Sequence, residues 1–135
     1  MRLRRGRGGF SRREFEELVE EAVLGLPEVF ARKLENIEII VEEQPDAETL
    51  ERMRIERGRT LLGLYHGVPR TLRHESAPPT YPDRISIYRR PILAICRTSG
   101  DARRMADQVR RQVRETVIHE IGHHFGLSDE EMRGR

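Results

Sequence analysis

Five apolar residues recur at every fourth position near one end of the chain: Met105, Val109, Val113, Val117 and Ile121. At about 100° per residue this spacing lines them along one side of an α-helix, as a stripe that must find a core. Asp101 stands where such a helix opens and Gly126 where it stops, so the spacing predicts a helix from Asp101 to about Phe125. With 135 residues the chain is too short for two independent cores. One compact domain is expected, from residue 11 to residue 135.

Upstream, Ser11 and Glu14 have the spacing of a capping box, and Phe15, Leu18, Val19 and Ala22 repeat at helical intervals as far as residue 24. Gly25 ends that helix, and Pro27 can start a second, short one reaching about Leu34. Asn36 to Val41 is β-branched and reads as a strand. Asp46 to Arg57 fits either a short helix or a loose connection. Thr60–His66, Arg84–Tyr88 and Pro91–Arg97 read as three more strands, with Pro91 at a strand start or edge. Between them, residues 67–82 form a proline-rich connection of the kind that is functional or mobile. The order of elements predicts an α+β fold: a small mixed β-sheet packed with an N-terminal helix and a long C-terminal helix.

The first ten residues hold four arginines and three glycines and are expected to be a disordered basic arm. Overall, 25 basic groups face 23 acidic ones, a balance that argues against wholesale nucleic-acid binding and leaves only the arm as a contact for RNA or an acidic partner. No apolar run approaches the roughly 18 residues that cross a bilayer. The basic start has no apolar stretch behind it, unlike a secretory signal. A single cysteine, Cys96, excludes an internal disulfide framework and points to the cytoplasm. Set in an apolar segment, it reads as core rather than nucleophile.

The segment that carries chemistry is HEIGHHFGLSD, His119 to Asp129. On a helix His119 and His123 project from the same face one turn apart, so two imidazoles can reach one metal ion. That face lies well away from the apolar stripe. Glu120 is then placed beside the ion without ligating it, where a carboxylate can take a proton from water that zinc acidifies and later deliver it to a leaving amine. Gly126 permits a sharp turn that can bring Asp129 back as a third ligand, leaving the open position a hydrolytic site needs. The bland alternative is a structural pair of histidines, since short HExxH runs also arise in unrelated helices. His124 points about 100° from its neighbour and either packs or joins the surroundings of the metal. Glu130 and Glu131 are substitute ligands or plain surface charge. Tyr65 and His66 are ordinary sheet residues or part of the site, and His74 is expected in solvent.

The run HExxHxxGxxD at His119, Glu120, His123, Gly126 and Asp129 resembles the extended motif of zincin metallopeptidases. The chain is still more similar to the small bacterial zincin-like metallopeptidases, through GLYHGVP at Gly63–Pro69 and PDRISIYRRPIL at Pro82–Leu93. This resemblance covers most of the chain apart from the arginine arm. It implies a zincin-like core, a bound Zn2+ and cleavage of peptide or unfolded-protein substrates. One feature departs from the metzincin pattern: only six residues follow Asp129, and Met132 is too close to it to supply a methionine turn. Two other readings remain open. A metal-dependent endoribonuclease would use a similar helix, but with a glycine at position 120 and a third histidine at 129. An inert metal-stabilised interaction module would use the same ligands without turnover.

Overall fold

The computed structural model describes residues 10–67, 83–96 and 101–126. Its elements, in order, are α1 (Arg12–Leu24), α2 (Glu28–Lys33), β1 (Ile37–Glu42), α3 (Ala47–Arg52), β2 (Gly63–His66), β3 (Asp83–Tyr88), α4 (Arg89–Ile95) and α5 (Ala102–Phe125). The connection after Gly67 and the segment after Gly126, with His74, Asp129, Glu130, Glu131 and Met132, lie outside the described residues. So does the arm as far as residue 9.

Local chemistry sets the helix starts. The Ser11 hydroxyl accepts the Glu14 amide at 3.2 Å while the Glu14 carboxylate accepts the Ser11 amide at 3.0 Å, which satisfies two amides that the first turn of α1 would otherwise orphan. Asp46 caps α3 with its side chain alone, Oδ1 accepting the Thr49 amide at 2.7 Å; hydrogen bonding from the Thr49 side chain and then from that amide favours the ionised carboxyl and lowers its pKa. Asp101 caps α5 by accepting the Arg104 amide at 2.9 Å.

The three strands form a mixed sheet in the order β1-β3-β2, with β1 parallel and β2 antiparallel to the central β3. Register decides what faces the helices. Ile39 and Tyr65 both pair with Ile85, and Val41 and Gly63 both pair with Ile87, so these residues share one side of the sheet. Ile85 and Ile87 are fully buried there against Phe15 and Leu18 of α1 and Val109, Val113, Val117 and Ile121 of α5. Each such side chain contributes about 1.5–3 kcal/mol on burial. The stripe of α5 is thus the spine of the core.

Two expectations are corrected. Pro91–Ile95 is helical, not a strand: α4 begins as soon as β3 ends. Ile92, Leu93 and Cys96 are buried while Ala94 and Ile95 are exposed, a helical rhythm rather than an alternation. Pro91 sits in the first turn, where its missing N–H has no bond to lose. Phe10, expected in the basic arm, is fully buried in the core. Its carbonyl accepts Arg89 Nη2 at 2.6 Å, and Arg89 Nη1 lies 2.6 Å from Glu43 Oε1. The core therefore includes Phe10, one residue ahead of Ser11. In addition, β2 is shorter than Thr60–His66, and Asp46–Arg57 resolves into α3 and a turn.

Candidate metal centre

The last turns of α5 carry two kinds of side chain on opposite sides. Val117 and Ile121 are fully buried, whereas His119 and His123 are exposed. The two imidazoles lie with ring centroids 4.3 Å apart and planes tilted by 49°. Gly126 ends the helix in the left-handed region at φ 63°, its amide donating to the Gly122 carbonyl, a conformation that strains any residue with a Cβ. Among the described residues no group of three or more His, Cys, Asp or Glu is placed to hold a metal. The donors that are present, two imidazoles on one solvent-facing side, suit zinc rather than magnesium or calcium, which prefer oxygen.

Glu120 is fixed by a strand distant in sequence. The Leu62 carbonyl accepts the Tyr88 amide at 2.9 Å. By antiparallel alternation the amides of Leu64 and His66 then turn to β3, and those of Gly63 and Tyr65 turn outward. Outward is where α5 lies. The Tyr65 amide donates to Glu120 Oε1 at 2.9 Å. Two residues earlier the approach is closer still: a Cβ on Gly63 would stand 2.6 Å from Thr116 Cγ2 and 2.9 Å from the Ser86 carbonyl oxygen. Only glycine lets helix and strand come together there. The outer edge of β2 is therefore covered by α5 at positions 63 and 65.

The Tyr65 side chain extends this contact. Its hydroxyl donates to Asp83 Oδ2 at 2.8 Å, and its ring stacks on His124 at 3.8 Å and 14°. Phe125 meets the same ring edge-on at 6.4 Å. His124 Nε2 lies 3.9 Å from Asp83 Oδ2. His124 is thus a packing surface for Tyr65. His66, next in β2, faces the other side of the sheet, where its Nε2 is 3.1 Å from Ser86 Oγ. Burial and then the Arg84 charge lower its pKa. Of these two neighbours, only Tyr65 is brought to Glu120.

Sequence reasoning did not single out Asp83. Its signal was an acidic residue opening a strand, but which side it faced depended on the pairing of β3 with β2, in which Asp83 is the diagonal neighbour of Tyr65. Cys96 is buried, as expected, and burial pushes its thiol pKa up to about 11. It ends α4 rather than lying in a strand.

Comparison with known proteins agrees with this architecture. No curated protein matches the chain. A solved structure described as a conserved hypothetical protein from Thermo thermophilus is similar over 86% of this chain and 94% of its own, with 24% identity and a TM-score of 0.50. That likeness bears on the fold alone. The profile of the family described as zincin-like metallopeptidase matches residues 34–135, which include both strands of the β2–β3 pair and all of α5. The chain belongs to the zincin-like metallopeptidase family.

Proposed function

We propose that the protein is a zinc-dependent peptidase in which His119, His123 and Asp129 hold the metal and Glu120 is the general base. The observation that carries this reading is the pairing of two exposed imidazoles, 4.3 Å apart, with an adjacent carboxylate anchored by the Tyr65 amide. Zinc, when bound, supplies a Lewis acid that polarises a carbonyl and makes water acidic near neutral pH. The protein's own part is proton handling. Oε1 of Glu120 is engaged by the amide, so Oε2 is the atom that takes the proton from the attacking water. The same oxygen returns it to the departing amine, so one carboxylate serves both halves of the reaction.

Family membership supports peptides or unfolded protein as substrate. No helix among the described residues is long and apolar enough to cross a membrane, and the lone cysteine fits a cytoplasmic setting. A fixed carboxylate at position 120 has a use in peptide hydrolysis that the endoribonuclease reading does not give it.

The test is a peptide-library digest read by mass spectrometry, beside an RNA cleavage control, each with and without chelator. Peptide cleavage that chelator abolishes and added zinc restores, with RNA intact, is the expected result. Cleavage of RNA alone would move the protein to the nuclease class, and no cleavage of either by zinc-loaded protein would leave an interaction module.

A further inference from the structure

We infer that Tyr65 is the positioning residue for Glu120, locked in place by Asp83 on one side and His124 on the other; this rests on the general-base role proposed above. A glutamate side chain has three rotatable bonds, and on an open helix face its carboxylate would sample several rotamers. Here one oxygen is tied to the Tyr65 amide at 2.9 Å. That amide is useful only if β2 holds its place against α5, and the contacts that set this place converge on Tyr65.

The Tyr65 ring lies flat on His124, which belongs to the same helix as Glu120, four residues further on. The hydroxyl reaches Asp83, the first residue of the central strand β3. Tyr65 therefore links the helix end to the sheet through both ends of one rigid side chain, while its own backbone holds the carboxylate. Gly63 seats the strand two residues away, where Thr116 leaves no room for a Cβ. Stacking and a hydrogen bond to a carboxylate are each modest and local, so together they hold one geometry rather than stabilise the whole domain.

The arrangement also assigns His124 a task distinct from that of its neighbour. His119 and His123 face solvent as a pair, and His124 is spent on the tyrosine. The closely spaced HExxHH run thus divides into two imidazoles for a metal and one as a platform.

The experiment compares Tyr65→Ala, Tyr65→Phe and Asp83→Asn with the wild type, in zinc-loaded full-length protein. Tyr65→Ala is expected to lower kcat by up to ~100-fold, the loss that a displaced catalytic group produces, with KM and zinc content unchanged. Tyr65→Phe keeps the stack but loses the bond to Asp83 and should recover only part of the loss, whereas Asp83→Asn keeps an acceptor and should recover most of it. A second readout needs no substrate. Hydrogen exchange of the residue-65 amide, followed by NMR, should accelerate in Tyr65→Ala and in Glu120→Ala, which lacks the accepting oxygen, and fall between these and wild type in Tyr65→Phe. If no peptide is cleaved even by wild type, the peptidase reading falls while the amide measurement still decides the positioning. An amide equally protected in Tyr65→Ala and wild type, or a kcat loss that merely follows zinc content, overturns the inference.

Discussion

The two faces of α5 obey different rules. On one, Val109, Val113, Val117 and Ile121 are fully buried, and what matters is their volume and spacing. On the other, His119 and His123 lie in solvent, and on the proposed metal-binding role what matters is the identity of their atoms. The buried face fixes where the helix lies, and through that position Glu120 meets the edge strand. On the function proposed above, a single element divides stability from chemistry around its circumference, and the two should be separable by mutation.

The largest effect is expected from Glu120→Gln, which removes the proposed proton carrier and leaves the imidazoles untouched. Hydrolysis should fall by ~10²–10⁴-fold, the usual worth of a general base, while zinc content measured by elemental analysis stays the same. Retained turnover would break the assignment of chemistry to this face. Next in size is a pair of substitutions on opposite sides of the helix. Ile121→Ala should lose about 2–5 kcal/mol of unfolding free energy in urea, from lost transfer and the cavity left behind. His123→Ala should lose zinc yet keep the metal-free stability within about 0.5 kcal/mol, as expected of an exposed residue. If His123→Ala costs as much as Ile121→Ala in the metal-free protein, the two faces are not independent.

Gly63→Ala sharpens the comparison, because it acts where the two faces meet the sheet. The added methyl collides with Thr116 and the Ser86 carbonyl, and overpacking of this kind costs about 1–3 kcal/mol. It should also reduce kcat by moving the Tyr65 amide away from Glu120, whereas Gly25→Ala, whose Cβ would have ordinary 3.6 Å contacts, should leave kcat alone.

The smallest effect concerns the opposite side of the sheet. The pKa of His66 is lowered by burial, so the unfolded chain binds its proton more readily than the folded one. That contribution is fully present above the ordinary value of 6.5 and is lost as the pH falls through the lower folded-state value. His66→Gln should therefore flatten part of the acid-side decline in urea stability. An unchanged decline would show that other groups carry it.

Some of this was legible in the residues because local physics decides it. Ser11 with Glu14, Asp101 and Gly126 mark helix ends by their own hydrogen bonds and backbone preferences, and each stands where such residues are expected. The stripe of α5 was legible because helical periodicity is a property of neighbours in the chain. The segment after Tyr88 reads as a strand because a short apolar run suits a strand or a buried helix equally, and its helical burial, with Ile92, Leu93 and Cys96 inside and Ala94 and Ile95 outside, is set by packing. Phe10 was hidden for a related reason: an arginine- and glycine-rich context says nothing about one aromatic residue that has a pocket to fill.

The sequence by itself determined the long helix, which of its sides would be buried, and the placing of His119 and His123 on the other. These follow from spacing along one helix. Only the tertiary structure decided that β2 would run antiparallel beside β3 with Gly63 and Tyr65 turned toward α5, bringing an amide 55 residues away in the chain to the Glu120 carboxylate. Strand register and the close approach at a glycine depend on partners distant in sequence, and no local pattern records which of a strand's two edges will face the helix.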